Sequence, residues 1–237
     1  MGERSIGNFL MAGDRPVGIL LTIPKIDRQT GRKVVNLSSW YVKESHRWSA
    51  AHLMIAALAE RDTVYTDLTP TKAAVEMNMR FGFRTIGFKL ILLFLPWLAL
   101  VGRKQDRLVP FEAVQESIIP GDLMVDLKRH QNLGCIVTTV KLLDRHSPVV
   151  FNVVSRKGIR VAQVVYAEDR DIIINNLAAF ARLLVLRGVL LLMLQVAESE
   201  NVPGAFVWGR NRCYQVKGEW NDDLIDELYS ERVLLRA

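Results

Sequence analysis

The stretch that decides the fold runs from Val34 to Phe83: VVNLSSWYV (34–42), KESHRWSAAHLMIAALAERD (43–62), TVYTDLTP (63–70) and TKAAVEMNMRFGF (71–83). Val34, Val35, Leu37, Trp40, Tyr41 and Val42 have the β-branched and aromatic character of a strand. From Trp48 the apolar spacing turns helical, with Ala51, Ile55, Leu58 and Ala59 on one face. A second strand and a second helix follow, so the stretch reads strand, helix, strand, helix. Where a strand feeds directly into a helix, the first-turn N–H groups lack intrahelical partners and can hold an anion that small residues allow to approach. Ser49, Ala50 and Ala51 are small, and Arg47 adds a cation. Positive charge at a helix start opposes the dipole, so a ligand explains Arg47 better than helix stability does.

Here the residues resemble the GNAT superfamily of acyl-CoA-dependent N-acetyltransferases. In that family a strand leads into an Arg/Gln-x-x-Gly-x-Gly/Ala phosphate loop, and Arg47-Trp48-Ser49-Ala50-Ala51-His52 stands at the matching place, with Ala50 and His52 in the glycine positions. The later family motif Asn-x-x-Ala-x-x-Leu-Tyr-x-x-x-Gly-Phe reads as Thr71, Ala74, Met77, Asn78, Gly82 and Phe83. The resemblance implies an α/β (α+β) GNAT-like fold with mixed central sheets. It also implies acetyl-CoA or another acyl-CoA as co-substrate, its arm along Trp40, Tyr41 and Val42 and its pyrophosphate at Arg47, Trp48, Ser49, Ala50, Ala51 and His52. The family's tyrosine, which protonates the departing thiolate in many members, is Asn78 here, and an amide cannot serve as that acid.

Outward from this stretch, Ile6–Ala12 and Pro16–Pro24 read as strands around Gly13-Asp14-Arg15, with Gln29–Lys33 turning into the central strand. In the GNAT comparison this meander begins without the family's usual first strand and two helices. The length of 237 residues and a hydrophobic fraction of 50% suffice for a sizeable core. Cys135 and Cys213 form no disulfide framework and no secretory leader pattern is present, which points to a reducing, cytoplasmic setting. The formal net charge of +6 is concentrated early: residues 1–118 hold 16 Lys+Arg against 11 Asp+Glu, and the rest 15 against 14. A modest excess of this kind suits an anionic cofactor, a nucleic acid, an acidic membrane or simply a solvated face. With no Walker loop, zinc finger or RNA-binding aromatic signature, nothing specific to nucleic acid is expected.

After Phe83 the chain turns strongly apolar, unbroken from Leu90 to Val101. Twelve residues fall short of the roughly 20 that a membrane-spanning helix needs. Two readings stay open: burial between units or between subunits of a homo-oligomer, or peripheral membrane contact helped by Trp97, Arg103, Lys104 and Arg107. The polar connection Arg103–Pro120 is where the chain divides, into a GNAT-like acyl-CoA-binding domain at 1–110 and a second, diverged GNAT-like domain at 111–237. The second half reads as a helix at 122–131, strands at 134–143, 149–154 and 159–167, a helix at 171–187 ended by Gly188, and a strand at 189–196. That order repeats the first half and implies two tandem units. It also resembles the trailing domain of two-domain bacterial GNAT-like acyltransferases, through His130 with Gly134-Cys135-Ile136, Gln163-Val164-Val165-Tyr166, and Asp223, Leu224, Leu228, Tyr229, Ser230 and Glu231. Glu168, Asp169 and Asp171 at its helix start would repel a pyrophosphate.

Acyl transfer to an amine needs a base for the acceptor and a proton for the leaving thiolate. Glu44, His46 and Asp67 are the ionisable groups nearest the strand ends, and Tyr65 is the candidate acid if its hydroxyl faces the cleft. Metal is not expected, because His46 and His52 lack ligand spacing and no His-Glu-x-x-His or paired-Cys motif exists. The run Asn211–Lys217 suits either an acceptor pocket or a surface strand. The expected function is acyl-CoA-dependent transfer, of acetyl to an amine on a small-molecule or peptide acceptor. The alternative is a catalytically degenerate GNAT-like binding or assembly protein.

Overall fold

A computed structural model describes residues 6–27, 30–101, 108–115, 118–143, 145–230 and 233. Gln29, Arg103, Lys104, Arg107, Glu231 and the side chain of Asn211 lie outside the described residues, as does part of the 103–120 connection. The chain forms two compact units, one of residues 1–86, 213–220 and 229–237, the other of 87–212 and 221–228.

In the first unit, β1 (Gly7–Ala12), β2 (Arg15–Ile26) and β3 (Lys33–Val42) form the expected antiparallel meander. A 3₁₀ turn, Glu44–Ser49, runs into α1 (Ala50–Ala57), so the helix expected from Trp48 begins two residues later and is preceded by a tighter coil. Then come β4 (Thr63–Asp67), parallel to β3, and α2 (Lys72–Arg80). The Thr71 hydroxyl caps α2 by accepting from the Ala74 N–H at 3.2 Å. Its other end is a Schellman closure: the Gly82 N–H bonds the Met79 carbonyl, the Phe83 N–H bonds that of Asn78, and Gly82 has φ +84°. That is the physical content of the Gly-Phe pair in the sequence. Leu20, Val35, Leu37, Leu53, Met54, Tyr65 and Phe83 make the core of this unit.

β5 (Arg84–Phe94) carries the chain into the second unit, followed by α3 (Leu95–Val101) and β6 (Leu108–Pro110). Next are α4 (Gly121–Asn132), the antiparallel β7 (Ile136–Lys141), β8 (His146–Arg156) and β9 (Ile159–Ala167), then α5 (Arg170–Asn175), α6 (Leu177–Val185) and β10 (Leu191–Val196). The expected helix at 171–187 is thus broken at Asn176. That residue leaves helical geometry (φ −122°, ψ 19°), and its Nδ2 donates back to the Ile172 carbonyl at 2.8 Å, a local bond that competes with the helix. β11 (Ala205–Lys217) returns to the first unit, where Gln215–Lys217 lie antiparallel to β4. β12 (Ile225–Asp226) pairs with β9.

The apolar run 90–101 is half strand and half helix. β5 pairs antiparallel with β10 from Lys89↔Val196 to Phe94↔Leu191, and Ile91, Leu93 and Leu95 belong to the second unit's own core with Phe151, Phe180, Leu184 and Leu192. Pro96 sits in the first turn of α3, where its missing N–H has no intrahelical partner in any case. The outer face of α3 carries Trp97, Leu100 and Val101 exposed. No helix among the described residues is long and apolar enough to cross a membrane. Leu93→Ala, at 0% exposure, is expected to lower stability by about 2–5 kcal/mol, and Leu100→Ala, at 82%, to stay within about 0.5 kcal/mol in urea unfolding.

Candidate functional site

β3 and β4 pair in parallel only from Lys33↔Thr63 to Asn36↔Thr66, although β3 continues to Val42. β4 itself ends at Asp67, and an irregularity lies on the other edge of β3. There β2 pairs Thr22 with Leu37 and Leu20 with Trp40, so Leu21 alone faces both Ser38 and Ser39. An extra residue in one strand bends it and increases its twist. The bulge therefore falls where β3 leaves β4, and a cleft of about 500 Å³ opens beside the departing edge.

One wall of the cleft is β3 from Leu37 to Val42, with Leu20 and Met54 behind it and Arg47 and Ala50 at its end. The facing wall is Asp67, Thr69, Pro70 and the first two turns of α2, including Thr71, Ala74, Met77 and Asn78. The structure thus brings together Trp40, Tyr41, Val42, Arg47, Ala50, Asp67 and Asn78 of the residues singled out in the sequence. Trp48, Ala51 and His52 are exposed and Ser49 is buried, and none of these four lines the cleft. Part of the amide set at the helix start is already used: the Ala50 N–H bonds the Arg47 carbonyl, and the His46 N–H that of Lys43. The anion-binding capacity of this corner rests chiefly on the Arg47 side chain, which is 71% exposed and lies 3.8 Å from the Glu44 carboxylate.

Asn78 is wholly buried. Its Nδ2 donates to Asp67 Oδ2 at 2.9 Å and to Gln215 Oε1 at 2.8 Å, while Gln215 Nε2 donates to the Val75 carbonyl at 3.1 Å. Those bonds leave the Asn78 amide one orientation, because a flip would set its oxygen against two acceptors. Its Oδ1 has no partner among the described residues, although it is buried at the cleft. The Trp40 indole Nε1 is a second buried polar atom without a partner in the cleft wall. Both atoms are closed to solvent, so their lack of partners among the described residues is a desolvation cost inside the wall. The Asp67 carboxylate, held by Asn78 and by the Thr69 N–H at 3.3 Å, stands next to the Asn78 amide.

Tyr65 is elsewhere. It is 2% exposed, pairs with Val35 below the splay, and its hydroxyl donates to the Glu60 carbonyl at 3.2 Å. Burial pushes its ionisation above the usual 10.0. Burial also raises the Cys213 thiol, with the Asp67 charge adding to the effect, so this cysteine is held in the thiol form and is a poor nucleophile. Gln215 belongs to the run 211–217 that the sequence offered as acceptor pocket or surface strand, and nothing in that run announces that its strand returns beside β4. Among the described residues no group of His, Cys, Asp and Glu could hold a metal ion.

No family model and no curated protein sequence matches the chain. Solved structures do. A GCN5-related N-acetyltransferase from Anabaena variabilis aligns with TM-score 0.54 and 10% identity over 86% of this chain and 60% of that one. The GCN5-related glucosamine N-acetyltransferase region of a fungal multi-domain GH3 β-N-acetylglucosaminidase aligns with TM-score 0.53 and 16% identity, over 86% and 32%. Eis1 from Mycobacterium abscessus aligns with TM-score 0.50 and 15% identity, over 90% and 65%. The chain therefore spans less than two thirds of each, and what these similarities show is the GNAT fold.

Two measurements test the site's geometry. Asn78→Ala removes the donor to Asp67 and to the buried Gln215 and should cost about 1–3 kcal/mol in urea unfolding. In an alkaline titration followed by absorbance, comparison with Tyr65→Phe should show that the Tyr65 hydroxyl ionises above the ordinary 10.0. Because its folded value is raised, its contribution to stability is complete below pH 10.0 and is lost as pH climbs through the folded value.

Proposed function

We propose that this chain, folded as a GCN5-related N-acetyltransferase, is an acyl-CoA-dependent acyltransferase that uses the first-unit cleft and transfers an acetyl group to an amine. The observation that carries the reading is an opened strand edge facing a carboxylate across a cleft. The edge of β3 from Leu37 to Val42 lines the cleft, and Asp67 stands across from it. An extended arm with its own amides can add to such an edge as an extra strand, while the side chains remain free to pack. Arg47 offers its pyrophosphate a cation. A bound acyl-CoA would supply the thioester carbonyl that the amine attacks.

The Asn78 amide holds the Asp67 carboxylate in place through its Nδ2. Asp67 takes the amine's proton as the new C–N bond forms. Asn78 has no proton to give the leaving sulfur, so that proton comes from solvent or returns from Asp67 through it. This replaces the tyrosine route that the sequence motif implied. The acceptor is a small molecule or a peptide bearing an amine.

Calorimetric titration with CoA and acetyl-CoA should show binding, and Arg47→Ala should weaken it by roughly tenfold. Asp67→Asn should lower kcat by about 10²–10⁴ with the donor KM little changed. Absence of binding by either ligand at millimolar concentration removes the reading. Binding without transfer to any amine leaves a GNAT-like binding module in its place.

A further inference from the structure

The second unit repeats the parallel pair but not the open cleft. β9 and β10 are paired only from Val161↔Leu191 to Gln163↔Met193, and both strands continue beyond, to Ala167 and Val196. This is the same arrangement as β3 and β4 past Asn36↔Thr66. Here, however, the departing edge of β9 is covered by the chain itself. β12 lies antiparallel on it, Ile225 opposite Ala167 and Asp226 opposite Tyr166, and the Glu227 N–H donates to the Val165 carbonyl at 2.7 Å. Since β8 holds the other edge of β9, through Val149↔Ala167 and Val150↔Tyr166, the segment occupies the side toward β10.

It is fixed from three directions. Gln195 of β10 donates to Glu227 Oε1 at 2.6 Å, and the His130 ring of α4 bridges the Asp126 carbonyl at 2.7 Å and the Leu228 carbonyl at 2.8 Å. Ile225, Glu227 and Leu228 are 1%, 0% and 1% exposed. The strand-to-helix junction above the wedge is also wrong for a phosphate. Asp169, Asp171, Glu200 and Asp223 line it, and Arg170, the one cation there among the described residues, donates to the Asp222 carbonyl. A pyrophosphate placed there would face carboxylates where the first unit presents Arg47.

We propose that residues 225–228 are an intramolecular occupant of the second unit's strand wedge. They pair with β9 as a ligand's amide arm would pair with β3, and they close that wedge to acyl-CoA. Each chain then binds one donor molecule, in the first unit. The identity of that ligand rests on the function proposed above; the occupancy of the wedge does not.

Hydrogen exchange followed by mass spectrometry on the full chain, free and with millimolar CoA, separates the two. Amides at 225–228 should exchange slowly in the free protein and be unaffected by CoA, while peptides covering 38–47 slow on binding, and native mass spectra should show one CoA per chain. Rapid exchange at 225–228 in the free protein, faster exchange there on adding CoA, or a second CoA that persists in Arg47→Ala would each overturn the proposal. Slow exchange at 225–228 with no CoA bound at all would uphold the occupied wedge and overturn the acyltransferase reading instead.

Discussion

The bulge at Ser38 and Ser39 is the constraint on which the site depends. A parallel pair that stayed in register from Lys33 to Val42 would bury both strand edges in ladder hydrogen bonds and leave nowhere for a ligand. By placing two residues of β3 opposite Leu21, the chain turns the strand away from β4 after Asn36↔Thr66. The separation leaves room for Asp67 and α2 to face β3 across a gap. The cleft is lined from Arg47 to Asn78 along that gap.

Asn78 ties the parts of its unit together. Its amide joins the end of β4 to β11 through Asp67 and Gln215, bonds that only a residue with two donor hydrogens on one nitrogen can make at once. The same bonds leave its buried oxygen without a partner among the described residues, a cost of desolvation. In the proposed transfer a tyrosine at this place would supply an acid, whereas the asparagine holds the Asp67 carboxylate.

The two units treat the same geometry in opposite ways. Both contain an antiparallel three-stranded meander, a helical segment and a parallel strand, and in both the parallel strands part after a few pairs. One gap is open and basic at its end, whereas the other is threaded by its own chain and acidic. Buried backbone groups must be paired in either case. In the second unit the polypeptide does this for itself.

Much of this was legible in the amino-acid sequence. The period change between Val42 and Trp48 and the motif spacing from Thr71 to Gly82-Phe83 are local features, and local sterics and hydrogen bonding set them without help from distant residues. The meander, the first-unit strand–helix order and the clustering of Trp40, Tyr41, Val42 and Arg47 followed from them. What the tertiary structure alone decided involves partners far apart in the chain. Gln215 reaches Asn78 across 137 positions and Leu228 reaches His130 across 98, and no period or composition encodes such a pairing. Tyr65 looked like an acid because strand alternation says which face a side chain takes, not where along the strand the cleft begins. That point is set by a bulge, which appears only when β3 is laid against β2, because a bulge is a mismatch between two strands and not a property of one.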